Sequence, residues 1–142
     1  DGKHVYPSGA SANSTVPDAI TPYSQRLHES SASIYRTDIF APGSVISSSG
    51  VRNRDASSDQ NGTSQAAPVI SGVLLLLQEY YKRKSNSSNL PTVDQLEKWL
   101  RLSGQPIFDG DNEDDNVTNT NQTYKRVDVL RSLELIDRDI SD

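Results

Sequence analysis

The longest apolar stretch of the chain covers residues 69–77 and is interrupted by one serine and one glycine. Pro68 stands just before it, where the first turn of a helix tolerates a missing N–H, and the basic residues 82–84 suit the carboxyl end of a helix dipole. These signals predict a helix over Ser64–Lys84. Because apolar side chains occur on nearly all sides of this helix, we expect it to be buried in the middle of a larger body and not to lie on a surface.

Two shorter helices are predicted in the C-terminal third. Thr92 and Gln95 have the spacing of a capping box, and Gly104 is placed to end the helix that they begin. A third helix is predicted over Val127–Ile136. The faces that we expect to be buried carry Val93, Leu96, Trp99 and Leu100 in the second helix, and Val127, Leu130, Leu133 and Ile136 in the third.

Strand signals are weaker and lie in the first half of the chain. The segment IYRTDIF, residues 34–40, partly alternates and is rich in β-branched and aromatic residues, so it predicts a strand that ends at Ala41. Val45 and Ile46 allow a second short strand, and the polar residues 47–60 predict an exposed loop. Residues 1–24 predict mainly loop, with one short strand near Val16–Thr21.

Composition and charge disfavour several classes of function. A chain of 142 residues is long enough for about one domain. Its net charge of −5 comes without a basic stripe that would neutralise phosphates, so nucleic acid is not an expected partner. The absence of cysteine excludes disulfides and thiolate metal sites but leaves the compartment open. No membrane span is expected, since the apolar stretch is far short of the roughly 20 residues needed to cross a bilayer.

An acidic loop is the one candidate for a metal site. Asp109, Asp111 and Glu113 place carboxylates at alternate positions in a segment with glycine and asparagine, which is how a calcium-binding loop begins. The twelfth position is Thr120, however, where such a loop needs a bidentate Glu. Both a structural calcium ion and a solvated acidic insertion stay open, and no residue is assigned as a metal ligand.

Ser64 is the candidate for chemistry. It stands in NGTSQAAPVISG, residues 61–72, after a glycine and at the start of the longest predicted helix. The unpaired N–H groups and the positive dipole end of a helix favour the negative charge that develops when a serine attacks a carbonyl. The same position suits Thr63 or Ser64 as a helix cap, because Ser and Thr are common N-cap residues. Local physics leaves both interpretations open.

A longer match bears on this choice. Residues 62–72 follow the pattern Gly-Thr-Ser, variable residue, Ala, small residue, Pro and then Gly four residues on, which closely resembles the serine motif of the subtilisin-like serine proteases. DIFAPGSVISS, residues 38–48, is similar to the strand of that family that ends in Ala-Pro-Gly, and YKRVDVLRSL, residues 124–133, is similar to the segment that enters its closing helix. Gln65 and Val69 stand where the family often has Met and His, at positions that do not carry out the reaction. The matching motif residues are Gly62, Thr63, Ser64, Ala66, Pro68 and Gly72.

The resemblance implies an α/β fold, with residues 1–142 forming the C-terminal part of a three-layer subtilisin-like domain in which helices flank a parallel sheet. It implies that Ser64 is the nucleophile of a serine endopeptidase and that the Ser64 N–H and the Thr63 hydroxyl support the oxyanion. No cofactor is required by such a reaction. The residues that bind the substrate are not assigned.

The other members of the catalytic triad are not expected on these residues. The family has its catalytic histidine in a His-Gly-Thr context, whereas the two histidines here, His4 and His28, stand in other contexts and are expected on the surface or in loops. We therefore expect the triad Asp and His and the oxyanion Asn to come from a segment preceding residue 1 or from a companion chain.

Without that segment or companion chain, residues 1–142 should be inactive. The expected substrate is a polypeptide, and the expected location is secreted or at the cell surface. The alternative is an inactive subtilisin-like domain that binds or scaffolds.

Overall fold

The structure is a computed structural model that describes residues 4–5, 11–12, 17–30, 35–110 and 118–141. Both helices and strands occur in these parts of the chain, so the architecture is mixed α/β. In chain order the elements are β1 (His4–Val5), β2 (Ser11–Ala12), β3 (Ile46–Ser49), β4 (Ser57–Gln60), α1 (Thr63–Ser85), α2 (Val93–Ser103), β5 (Gln105–Phe108), β6 (Thr123–Arg126) and α3 (Val129–Ser141).

The predicted long helix is confirmed as α1, one residue longer at each end than expected. The described residues bury only one side of it, so its burial in the middle of a larger body stays a prediction. Val73 and Leu77 are buried, but Leu75 and Leu76 on another side are 68% and 47% exposed. The reason is that α2 and α3 cover one side of α1, and the described residues provide no cover for the opposite side.

The core lies where α1, α2 and α3 meet. Leu77 and Ile136 are completely buried, and Trp99 is 2% exposed. Trp99 Nε1 donates a hydrogen bond to Asp139 Oδ2 at 2.7 Å, which ties α2 to α3. The buried members of the core are Val73, Leu77, Leu96, Trp99, Leu100, Val127 and Ile136.

The capping box of α2 is confirmed, since Thr92 Oγ1 accepts from Gln95 N–H at 3.2 Å and Gln95 Oε1 accepts from Thr92 N–H at 2.9 Å. Gly104 is the C-cap, as predicted. The predicted burial of Val93 is wrong, because it occupies the first turn of α2 at the end of the core and is 77% exposed.

The prediction for α3 needs two corrections. The helix begins at Val129, so Val127 precedes it, although Val127 is buried as expected. Leu130 is 66% exposed. Successive steps of three residues rotate by about 60° around a helix of 3.6 residues per turn, so Leu130 lies about 120° away from the buried Ile136.

The strands form three antiparallel pairs among the described residues: β1 with β2, β3 with β4, and β5 with β6. The β3–β4 hairpin lies in the segment predicted as a loop. The loop prediction is therefore wrong. The two strands, ISSS and SSDQ, carry almost no apolar residues, so no strand pattern appears in the sequence. They are held by backbone pairing, with Ile46 opposite Gln60. The second predicted strand is confirmed in part, since β3 begins at Ile46.

The strands predicted near Val16–Thr21 and over residues 34–41 are not formed in the described residues. Residues 17–21 hold no strand, and Val16 lies outside the described residues. In the segment that was predicted to end at Ala41, a parallel bridge joins Phe40 to Arg126. Phe40 N–H donates to the Lys125 carbonyl at 2.7 Å, and the Phe40 carbonyl accepts from Val127 N–H at 2.8 Å. The described residues therefore contain a single parallel contact, and a parallel sheet in three layers is not formed among them.

None of the described helices combines the length and the apolar character that crossing a membrane requires.

Candidate active site

A glycine forms the joint between β4 and α1. Gly62 is the N-cap residue of α1 and has φ 141°, a conformation that residues with a Cβ rarely adopt. Its carbonyl accepts from Gln65 N–H at 3.1 Å and from Ala66 N–H at 3.3 Å, which closes the first turn of the helix. The sequence therefore needs glycine here for the chain to enter α1 in this direction.

Thr63 and Ser64 are the first two residues inside the helix, and both are exposed. The interpretation of either residue as the helix cap is wrong, because the N-cap is Gly62 and no side chain caps this end. The N–H groups of Thr63 and Ser64, at the first two helical positions, have no partner within the helix. Ser64 is thus exposed to solvent beside these N–H donors, at the positive end of a helix of 23 residues.

The Ala-Pro-Gly segment lies directly beside this turn. The Gly43 carbonyl accepts from Gly62 N–H at 2.8 Å and from the Tyr23 hydroxyl at 2.7 Å. A Cβ on Gly43 would come within 2.8 Å of the Gly62 carbonyl oxygen, closer than real Cβ contacts allow. Gly43 and Gly62 belong to the two sequence motifs and are 19 residues apart in the chain. The two motifs therefore pack backbone to backbone at these glycines.

The residue before Gly62 is also fastened to this corner. Asn61 Oδ1 accepts a hydrogen bond from Val45 N–H at 2.6 Å. Neither Asn61 nor Tyr23 was assigned a role from the sequence, because a hydrogen bond between residues 16 or 20 positions apart leaves no local pattern.

A cavity of about 970 Å³ opens next to Thr63. Its walls come from the segment before the Ala-Pro-Gly corner and from the first turns of α1. Its apolar lining includes Ile39, Ala41, Ala66, Ala67, Ile70 and Ile107, and no histidine is among the described residues that line it.

The family model described as the subtilase family matches residues 8–124, which is more than half of the chain. The chain belongs to the subtilase family. No curated protein and no solved structure matches it. Membership supports a serine-protease-like function in general, and subtilases are commonly extracellular proteins.

The one histidine of this subtilase whose side chain the structure describes makes its contacts elsewhere. His28 Nδ1 forms a hydrogen bond with Ser30 Oγ at 2.7 Å, and the ring packs edge to face on Tyr124 at 5.4 Å. His28 lies in a loop, as predicted, and lines a second cavity together with Glu97 and Arg101 of α2. His4 lies in β1, and its side chain is not among those described.

The acidic loop of the subtilase chain begins with a buried ion pair. Asp109 Oδ1 accepts from Arg26 Nε at 2.8 Å, and Asp109 Oδ2 accepts from the N–H and the hydroxyl of Thr120, each at 2.8 Å. Both carboxylate oxygens therefore have partners, which favours a structural role for Asp109. The other acidic positions, residues 111–115, lie outside the described residues, so calcium binding stays a prediction. Groups of three or more acidic, His or Cys side chains arranged to hold a metal ion do not occur in the part of the chain that is described.

Proposed function

We propose that this subtilase chain is the C-terminal part of a subtilisin-like serine endopeptidase with Ser64 as its nucleophile. Ser64 Oγ attacks the scissile carbonyl and its proton passes through a histidine to the leaving amine, which gives an acyl-enzyme that water then hydrolyses. The observation that carries the proposal is that Ser64 is exposed in the first turn of a long helix and does not cap it.

The oxyanion of this reaction would form beside the first turn of α1. The Ser64 N–H belongs to the donors that have no intrahelical partner, and the Thr63 hydroxyl is exposed next to it. Preorganised donors of this kind stabilise the charge that develops in the transition state. The reaction needs no cofactor, and its substrate is a polypeptide.

The triad Asp and His and the oxyanion Asn would come from a segment that precedes residue 1 or from a companion chain. The engagement of His28 with Ser30 and Tyr124 supports this part of the proposal. We call the chain together with that segment the assembled protease. The chain by itself is expected to be inactive, because nucleophile and base are each needed for the full rate.

The assembled protease would also complete the three-layer fold. The parallel bridge between Phe40 and Arg126 supports a parallel sheet that continues beyond the described strands. The exposed apolar side of α1, which carries Leu75 and Leu76, supports a helix that is covered from that side by further chain. Secretion is part of the same proposal and is supported by the common extracellular location of subtilases.

Labelling with a fluorophosphonate tests the proposal, because such reagents react covalently with an activated serine. We expect the assembled protease to be labelled and Ser64→Ala to abolish the label. Ser71→Ala is the matched control, since Ser71 is a second exposed serine of α1 whose hydroxyl only bonds back to the Ala67 carbonyl at 3.3 Å. Absence of label on a folded assembled protease would instead favour the inactive binding or scaffold domain.

A substitution on the exposed side of α1 tests the companion segment. Leu75→Lys should weaken retention of the separately expressed, tagged companion segment by at least about 10-fold, because burying a leucine contributes about 1.5–3 kcal/mol. Leu130→Lys is the control, since Leu130 is 66% exposed on α3 and Leu75 is 68% exposed. Equal retention by the two variants would contradict docking on this side of α1.

A further inference from the structure

The turn that leads into α1 is fastened by one side chain to the corner that follows the Ala-Pro-Gly segment. Asn61 Oδ1 accepts from Val45 N–H at 2.6 Å and, at the longer distance of 3.4 Å, from Ser44 Oγ. The pairing of β3 with β4 ends at Ile46 opposite Gln60, so the next pair in register would be Val45 with Asn61. At that place a side-chain oxygen takes the position that a backbone carbonyl has in an antiparallel ladder.

Val45 has a backbone conformation that valine rarely adopts. Its φ of 51° lies in the left-handed region, where a β-branched residue is a genuine outlier. The Val45 side chain is 47% exposed, so burial contributes little to holding it there. The short hydrogen bond to Asn61 is the contact that favours this conformation, and backbone strain of this kind is concentrated at functional sites.

We propose that Asn61 is a positioning residue that sets the direction of the first turn of α1 and hence the location of Ser64 Oγ. This inference rests on the proposed function of Ser64. Asn61 precedes Ser64 by three residues, and the next residue, Gly62, donates its N–H to the Gly43 carbonyl at 2.8 Å. One side-chain bond and one backbone bond in succession thus fix the entry into the helix.

Loss of the Asn61 bond acts on Ser64 through the glycine joint. Gly62 has wide conformational freedom, so when only the Gly43 bond is left of these two, the first turn of α1 can change direction. Nucleophilic attack requires the reacting atoms to be held close to one geometry, and small displacements lower the rate strongly. Substrate contacts away from Ser64 are left in place, so the effect falls on kcat and not on KM.

The experiment measures kcat and KM of the assembled protease on a peptide, normalised by titration of the active sites. Asn61→Ala should lower kcat by on the order of 10- to 100-fold with little change in KM. Gln60→Ala is the matched control, because the neighbouring Gln60 also makes a side-chain hydrogen bond, to Ser58 Oγ at 2.8 Å, but within β4. Asn61→Ser is too short to reach Val45 and carries the same expectation if Asn61→Ala does not fold.

Repeating the measurement in a chain that carries Val45→Gly separates a positioning role of Asn61 from a general effect on stability. Glycine adopts a positive φ at little cost, so a chain with Val45→Gly keeps the backbone conformation of residue 45 without the Asn61 hydrogen bond. Asn61→Ala should therefore lower kcat several-fold less in the Val45→Gly background than in the natural chain. A merely structural role would lower the melting temperature without this dependence of kcat on residue 45.

The outcomes distinguish the two proposals. A natural assembled protease that neither hydrolyses peptide nor takes a fluorophosphonate label contradicts the proposed function of Ser64. An active protease whose Asn61→Ala variant keeps the natural kcat overturns the positioning role alone. An equal loss of kcat in both backgrounds also overturns it, because the effect would then not pass through Val45.

Discussion

Replacing Ser64 by alanine should lower kcat for peptide hydrolysis by the assembled protease by about 10⁶-fold. The magnitude is that of subtilisin, a member of the same family, in which loss of the nucleophile has an effect of this size. The physical reason is that, in the proposed mechanism, the Ser64 hydroxyl forms the acyl-enzyme, whereas alanine leaves only direct attack by water on the bound substrate. The N–H donors of the first turn stay in place, so a residual rate above that of uncatalysed hydrolysis is expected.

The measurement is a progress curve on a fluorogenic peptide, with the binding of a non-hydrolysable peptide as a second readout. Binding should change little, because Ser64→Ala removes one exposed hydroxyl and leaves the described walls of the cavity beside Thr63 intact. Ser71→Ala should keep the natural rate. Hydrolysis by Ser64→Ala at more than about a hundredth of the natural rate would show that another group is the nucleophile, since loss of a true nucleophile costs far more.

Arg26→Met should lower the free energy of unfolding of the assembled protease by about 3–5 kcal/mol, because it leaves the buried carboxylate of Asp109 without its counter-charge. The side chains of Arg26 and Asp109 are 8% and 4% exposed. The guanidinium also donates to the carbonyls of Ser24, Ile20 and Thr21 at 3.3–3.4 Å. Removing it therefore breaks a network that joins residues 20–26 to the base of the acidic loop.

Urea denaturation followed by circular dichroism measures this loss. Arg83→Met is the matched control, since Arg83 pairs with Glu79 within α1 and the two side chains are 78% and 51% exposed. An exposed pair of this kind contributes less than about 0.5 kcal/mol. The double change Arg26→Met with Asp109→Leu should cost less than the two single changes added together, because no buried charge is then left unpaired. Additive costs would mean that the pair is not coupled.

The helices could be predicted from the sequence to within a few residues. Pro68, the capping box at Thr92 and Gln95, and the basic residues at the end of α1 all act within one or two turns, so their effect can be recognised locally. The β3–β4 hairpin could not be predicted, because its residues are polar and its pairing is held by backbone groups that every residue carries. Burial was the least predictable property, since it depends on which other element covers a side chain.

The candidate site also has one part that the sequence predicts and one part that it does not. The Gly-Thr-Ser motif predicts Ser64 as a nucleophile because its residue types are contiguous in the chain. The close contact of Gly43 with Gly62 and the hydrogen bond between Val45 and Asn61 join residues 16 or more positions apart, so no local sequence pattern predicts them.

By itself, the sequence determined where the helices form, that nucleic-acid binding is not expected, and which residues match the subtilisin-like serine motif. These properties depend on short-range backbone preferences, on net charge and on the order of side chains along the chain. The tertiary structure alone decided that Gly62, and neither Thr63 nor Ser64, caps α1, that one side of this helix is exposed, and that Asp109 pairs with Arg26. The physical reason is that capping geometry, burial and buried ion pairs are set by contacts between segments distant in sequence, and these contacts exist only once the chain has folded.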